Sequence, residues 1–157
     1  FFFKQKTAYE IRNCDWSSDV CSSDLKSMKK IAFVLHNRAN FARVKSVISN
    51  ILLKHSSTEV KIILASSSLI RNYGDLEKEV LDLKVDFKRI YNLVAGDRTL
   101  TMVKTTGLAM LDLCQEFESY RPDLVVSVAD RHETLATVIA ASYMNIPVAH
   151  KIGRAHV

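Results

Sequence analysis

The sequence is poor in glycine, proline and cysteine, and it lacks a long hydrophobic run. Four glycines and two prolines in 157 residues exclude collagen-like and low-complexity chains. No stretch approaches the roughly 18 uncharged apolar residues of a membrane span, and a lysine follows the opening phenylalanines, so we expect neither a membrane segment nor a signal peptide. Three cysteines without metal-ligand spacing argue against a disulfide framework and a zinc site. We therefore expect one cytoplasmic domain in a reducing compartment.

The charge excess is small and diffuse. Lys and Arg number 22 against 17 Asp and Glu, which gives a formal net charge of +5, and the basic residues are scattered along the chain. Nucleic-acid-binding domains usually gather such residues on one face or in one run. We therefore expect no nucleic-acid partner.

Both ends of the chain differ from its middle. Residues 1–25 hold the only tryptophan, two of the three cysteines and a serine-rich string without helical or strand period. The DNA that would encode residues 4–10, 15–25 and 152–157 resembles sequencing-library adapters. Residues of such an origin are not part of a native fold. We expect residues 1–25 to be adapter-derived and disordered, and residues 151–157 to be adapter-derived. Residues 26–150 are then the native part, a partial N-terminal Rossmann-like domain.

The middle of the chain alternates short apolar runs with amphipathic stretches. A continuous apolar run typical of a strand buried on both faces of a parallel sheet occupies residues 31–35, and residues 60–65 and 124–129 are predicted to form two further strands. Apolar residues at helical spacing predict helices over 41–55, from about 100 to Pro122, and over 135–144. A short helix over 76–83, an edge strand over 87–93 and a strand from 146 complete the pattern. This order predicts an α/β fold, a Rossmann-like, doubly wound parallel sheet with right-handed crossovers.

Local signals complete this interpretation. Asp97 is predicted to cap the long helix, and residues 72–75 are predicted to form a turn. Cys114 lies on the apolar stripe of that helix, so we expect it to pack in the core and not to act as a nucleophile.

Polar residues follow the predicted strands, where open parallel sheets bind their ligands. Arg38 precedes a helix, so its guanidinium and the helix N-terminus could share a diphosphate; a solvated loop arginine is the alternative. Asp130 directly follows an apolar strand and is a candidate general acid or base, or else a helix cap or an ion-pair partner of Arg131. The glycine-rich dinucleotide fingerprint and the Walker lysine loop are absent from the sequence, which disfavours NAD and ATP.

Three more residues at this edge are weighed in the same way. Compensation of the helix dipole is enough to explain Glu133 in the first turn of a helix. His150 ends a strand, but no second ligand stands at metal-binding spacing, so we expect no metal site. His132 is expected to be exposed. We expect no cofactor.

Four short segments together resemble a known protein family, although each segment alone is too weak a motif to identify it. They are residues 37–41, 104–109, 130–136 and 144–150. In this order and spacing they resemble the UDP-N-acetylglucosamine 2-epimerases, most closely the hydrolysing branch of sialic-acid and legionaminic-acid synthesis. The resemblance implies most of the first of two Rossmann-like domains in the glycosyltransferase-B arrangement, with the nucleotide sugar between them. It also implies UDP-GlcNAc or a related UDP-sugar as the partner and a homo-oligomeric parent.

The resemblance assigns roles by position. Asp130 matches the aspartate of the family's Gly-Asp-Arg motif, which does acid/base work at the sugar. Arg38 and Arg131 match arginines that contact the diphosphate and the nucleotide. His150 matches a histidine that precedes a Gly-Gly-Glu segment, and Glu133 is grouped with the substrate-binding residues. The implied reaction is elimination of UDP across C1 and C2 of UDP-GlcNAc, followed by addition of water, which gives N-acetylmannosamine.

The chain also departs from the family pattern. Ala129 replaces the usual Gly before Asp130, while Asn40, Phe41 and Ala42 stand where Asp, Tyr and a small or hydroxyl residue are common. The family's second domain is missing, so we expect this polypeptide to be inactive by itself. A non-hydrolysing epimerase, another nucleotide-sugar enzyme of the glycosyltransferase-B type and a non-functional truncated reading frame remain alternatives.

Overall fold

Five strands and four α-helices alternate along the part of the chain that the computed structural model describes, residues 30–70, 76–96 and 98–152. In chain order they are β1 (Lys30–Leu35), α1 (Arg38–Lys54), β2 (Glu59–Ala65), α2 (Leu76–Leu81), β3 (Asp86–Ile90), α3 (Thr99–Tyr120), β4 (Leu124–Val128), α4 (His132–Tyr143) and β5 (Val148–Lys151). A short 3-10 helix, Ser66–Leu69, follows β2 at the place where the sequence predicts a serine loop.

All five strands run parallel, in the order β3-β2-β1-β4-β5. The chain first extends the sheet to one side of β1 and then, from β4 onward, to the other side. The strand order therefore reverses between β1 and β4, as it does in doubly wound folds. The predicted fold class is confirmed.

Each face of the sheet carries its own apolar core. On one face, Phe33 packs in a cluster with Ile48 of α1. On the opposite face, the neighbouring Val34 packs in a cluster with Phe117 of α3 and Ala140 of α4. Successive side chains of a strand point to opposite faces, so a central strand covered on both sides needs a continuous apolar run. This requirement explains the sequence of β1.

The observed helices and strands differ from the predicted bounds at several ends. α1 begins at Arg38 and not at 41, because Asn37 caps it: the Asn37 Oδ1 accepts a hydrogen bond from the Asn40 N–H at 2.9 Å. α4 likewise begins at His132, three residues before the apolar stripe that predicts it. β3 ends at Ile90, short of the predicted 93, and β5 begins at Val148.

Several sequence predictions fall outside the described residues. These are the adapter assignments of residues 1–25 and 153–157, the turn at 72–75 and the cap at Asp97. Lys151, which falls within the end of the chain predicted to be adapter-derived, is the last residue of β5 and pairs with Val128 in the sheet register. Within the described ranges, no helix has the length and apolar character needed to cross a membrane.

Candidate functional site at the carboxyl ends of the strands

The segments that leave β1, β2 and β4 meet at one edge of the sheet. They place residues 36–40, 66–69 and 129–133 together, because parallel strands all end at the same edge. Two cavities open between these segments. Most of the predicted site residues line them.

The first cavity, here called the α1 cavity, has a volume of about 290 Å³ and lies between the start of α1 and the turn after β4. Asp130 and Arg131 line it from the turn, and Arg43 lines it from α1. Arg43 was missed at the sequence level. The signal that could have found it is helical spacing, because Asn40 and Arg43 are three residues apart and such residues share one face of a helix.

Asn40 is fully buried in the wall of the α1 cavity. Its Nδ2 donates to the carbonyl oxygen of Val128 at 3.2 Å, which ties α1 to the end of β4. Its Oδ1 has no hydrogen-bond partner among the described residues. A buried acceptor without a partner costs roughly 1–3 kcal/mol.

The turn that presents Asp130 rests on a residue in the left-handed conformation. Ala129 has a φ of 66°, a region that costs a residue with a Cβ atom roughly 1–2 kcal/mol and costs glycine nothing comparable. The family's usual Gly before this aspartate is thereby explained. Ala129 thus occupies a position whose backbone conformation glycine adopts without strain.

Arg38 lies apart from both cavities. Its Nε and Nη2 donate to the Oε1 of Glu79 on α2, at 3.0 and 2.7 Å, and its side chain is exposed. Exposed ion pairs of this kind contribute about 0–1 kcal/mol, so a phosphate group could replace the glutamate at little cost. In this structure Arg43 and Arg131, not Arg38, are the cations that share a cavity with Asp130.

The second cavity, here called the α4 cavity, adjoins the first at Arg131, which lines both. Its volume is about 410 Å³. Ser67 lines it from the 3-10 helix after β2, and His132 and Glu133 line it from the start of α4. Leu93, Val94 and Ala95, from the segment between β3 and α3, form an apolar wall together with Met102 of α3.

Glu133 is buried, and both of its carboxylate oxygens pair with neighbouring side chains. The Nε and Nη2 of Arg131 donate to its two oxygens at 3.0 and 2.9 Å, and the Nδ1 of His132 lies 3.3 Å away. Burial by itself would raise the pKa of Glu133, but hydrogen bonds from Arg131 and from the backbone, together with the charges of Arg131 and His132, hold the pKa below its usual value. Glu133 therefore fixes the guanidinium of Arg131 in a fork-like pair, in addition to any effect on the helix dipole.

His150 lines neither cavity. It is exposed in β5, and its Nδ1 lies 2.8 Å from the Oγ of Ser127. It lines a different feature, an apolar groove of about 660 Å³ along the sheet beside α1. The structure therefore does not bring His150 into either cavity. No group of three His, Cys, Asp or Glu side chains in the described part of the chain could hold a metal ion.

His36 is a second residue that the sequence analysis passed over. It lies directly after β1, is fully buried, and contacts Ser66 and Thr137 through its two ring nitrogens. Burial lowers its pKa to about 4, with Arg131 and His132 acting in the same direction and Glu133 opposing them. The imidazole is therefore neutral at pH 7.

Comparison with known proteins places this chain. The profile of the UDP-N-acetylglucosamine 2-epimerases matches residues 50–153. The chain belongs to this family. It is 31% identical over 130 residues to the UDP-N,N'-diacetylbacillosamine 2-epimerase (hydrolyzing) of Legionella pneumophila, over 80% of this chain and 33% of that protein. It is 29% identical over 128 residues to the GDP/UDP-N,N'-diacetylbacillosamine 2-epimerase (hydrolyzing) of Campylobacter jejuni, over 81% of this chain and 33% of that protein. The chain thus spans about a third of the length of these relatives.

Solved structures of family members share the fold. The UDP-GlcNAc 2-epimerase of Neisseria meningitidis, bound to UDP-GlcNAc, superposes with a TM-score of 0.60 at 25% identity, over 77% of this chain and 31% of that chain. The Methanocaldococcus jannaschii enzyme, in complex with UDP-GlcNAc and UDP, gives a TM-score of 0.62 at 20% identity, over 77% and 32%. The second likeness shows the fold alone. The family and fold predicted from the four segments are confirmed.

Proposed function

We propose that this epimerase-family chain forms the part of a hydrolysing UDP-N-acetylglucosamine 2-epimerase that binds the diphosphate and the sugar. One observation supports the proposal: Arg43, Arg131, Asp130 and Asn40 line one cavity at the carboxyl edge of the sheet. A departing diphosphate needs fixed cations, and a sugar that loses a carbon-bound proton needs a carboxylate near it. The cavity supplies both.

In the proposed reaction Asp130 takes the proton from C2 of the sugar. The C1–O bond to UDP breaks, its electron pair leaves with the diphosphate, and a C1=C2 double bond forms. Water then adds its hydroxyl group to C1 and a proton to C2 on the opposite face. The products are N-acetylmannosamine and UDP.

The cations have distinct parts in this proposal. Arg131 is held by Glu133, so its charge is already oriented when negative charge develops on the diphosphate, and a preorganised charge needs no rearrangement during the reaction. Arg43 faces the same cavity from α1, and Arg38 is a third cation once a phosphate replaces Glu79. His150 is proposed to reach the nucleotide from β5.

The substrate has a second candidate, a UDP-sugar of the diacetylated bacillosamine type. Both curated relatives carry that sugar in their names. The α4 cavity adjoins Arg131, has a volume of about 410 Å³ and has an apolar wall that suits the methyl group of an additional acetamido substituent. We further propose that the polypeptide alone does not turn substrate over, because it spans about a third of its relatives.

The Asp130→Asn variant tests the catalytic assignment. The assay uses the protein encoded by the reading frame that is recovered from the source DNA. We expect the variant to bind UDP but no longer to release UDP from UDP-GlcNAc or from the diacetylated sugar nucleotide, because the amide cannot accept the C2 proton. Asp82→Asn, at an exposed position of the chain, is the control. Full activity of the Asp130 variant would overturn the assignment, and a UDP-linked N-acetylmannosamine product would indicate the non-hydrolysing reaction.

A further inference from the structure

His36 joins the two walls of the α4 cavity. Its carbonyl oxygen accepts a hydrogen bond from the Oγ of Ser67 at 2.8 Å, and its Nδ1 lies 3.4 Å from the Oγ of Ser66. On the other side, its Nε2 lies 2.8 Å from the Oγ1 of Thr137 on α4. One buried residue at the end of β1 therefore contacts both the 3-10 helix after β2 and the helix that carries Glu133.

The neighbouring hydrogen bonds determine which ring nitrogen carries the proton. The backbone N–H of Ser66 can only donate, so the atom of Asn92 that it meets at 2.9 Å is the amide oxygen, Oδ1. The Oγ of Ser66 lies 2.9 Å from the same oxygen and must donate its own proton there. Toward His36 the Ser66 hydroxyl can then only accept. The donor of that contact is consequently the Nδ1–H of His36, and the bare Nε2 accepts from the Thr137 hydroxyl.

The contact with Thr137 reaches the charged pair of the site. Thr137 and Glu133 are four residues apart on α4 and therefore share one face of the helix. Glu133 in turn holds the guanidinium of Arg131. The charged groups that act on the His36 ring are Glu133, Arg131 and His132, all at the start of α4. Through Thr137, His36 therefore contacts the helix whose first turn carries Glu133.

We propose that His36 is a positioning residue: as the Nδ1–H tautomer it fixes the Ser66–Ser67 corner relative to α4 and thereby sets the position of the Arg131–Glu133 pair in the α4 cavity. Its effect on turnover rests on the proposed function. The hydrogen-bond arrangement itself does not, so the two can fail separately.

The first test uses the chain without substitution. A long-range ¹H–¹⁵N spectrum of the histidine rings at pH 7 reports the protonation of each ring nitrogen. We expect His36 to show a protonated Nδ1 and a bare Nε2. A protonated Nε2, alone or together with Nδ1, would overturn the proposal.

The second test uses a pair of substitutions with a surface control. His36→Asn places an amide N–H near the position of Nδ1, whereas His36→Leu removes both polar contacts; His55→Gln, at an exposed position, is the control. We expect the Nε–H resonance of Arg131 and the amide resonances of Ser66 and Ser67 to shift in the Leu variant and to return toward their original positions in the Asn variant.

The outcomes separate the two claims. If the Leu variant does not fold, Thr137→Val takes its place, because it removes only the donor to Nε2. Arg131 and Ser66 resonances that stay unchanged in the folded variant would overturn the positioning role. Failure of the chain to bind UDP would count against the proposed function and would leave the tautomer and the Arg131 shift unaffected.

Discussion

We expect mild acid to destabilise the chain through His36. The pKa of His36 in the folded chain is about 4, against 6.5 for the free side chain, mainly because the ring is buried. Between these values the unfolded chain binds a proton that the folded chain does not bind. The free energy of unfolding is therefore highest above pH 6.5 and falls as the pH drops toward 4.

The size of the effect follows from this difference in pKa. Each unit corresponds to 1.36 kcal/mol, so His36 accounts for a loss of about 3 kcal/mol once the pH is well below 4 and of about 2 kcal/mol at pH 5. For a chain of this size, that loss lowers the unfolding temperature by about 4–8 °C at pH 5. Glu133, whose pKa is held below its usual value, contributes stability that is lost at still lower pH. A comparison of pH 5 with pH 7 therefore avoids the range in which the contribution of Glu133 is lost.

Urea and thermal unfolding followed by circular dichroism at pH 7 and pH 5 measure this loss. His36→Asn carries no titrating ring, so the variant is expected to keep nearly the same stability at both pH values. The exposed His55 supplies the control substitution, His55→Gln. Equal stability of the unsubstituted chain at both pH values, or an undiminished pH dependence in the Asn variant, would refute the reasoning.

Three further changes have expected outcomes. Glu133→Gln removes a charge-assisted pair with Arg131 and should lower the free energy of unfolding by about 1.5–3 kcal/mol in urea titrations; Glu118→Gln, in an exposed pair with Arg121, should change it little. Phe33→Ala, in the fully buried part of β1, should cost about 3–5 kcal/mol in the same assay, whereas Leu53→Ala, at a side chain that is 83% exposed, should cost far less. Arg43→Gln should weaken UDP binding measured by calorimetry, and the exposed Arg121→Gln should not; equal binding by both would remove Arg43 from the site.

The sheet could be predicted from the sequence because strands covered on both faces are mostly apolar, as β1, β2 and β4 are. The start of α1 could not be placed from the apolar stripe, because the cap Asn37 lies before the stripe begins. Asp130 and Arg131 were found because they directly follow a buried strand. Their positions in the chain already indicate the edge of the sheet.

His36 and Arg43 could not be recognised in the same way. The partner of the His36 ring, Thr137, lies 101 residues away in the sequence, and only the fold brings the two together. Arg43 lies inside a helix and has the appearance of a solvated surface residue. Arg38 was identified from its position in the family motif. Its side chain, however, pairs with Glu79, and the sequence gives no signal for this pair.

We propose that the α1 cavity binds the diphosphate of a UDP-sugar. Titration of the ¹⁵N-labelled chain with UDP, followed by amide chemical shifts, tests it most directly. We expect saturable shifts confined mainly to residues 37–43 and 129–133, with smaller shifts in the Arg43→Gln variant. Absence of shifts in both segments, or shifts confined to the apolar groove beside α1, would contradict the claim.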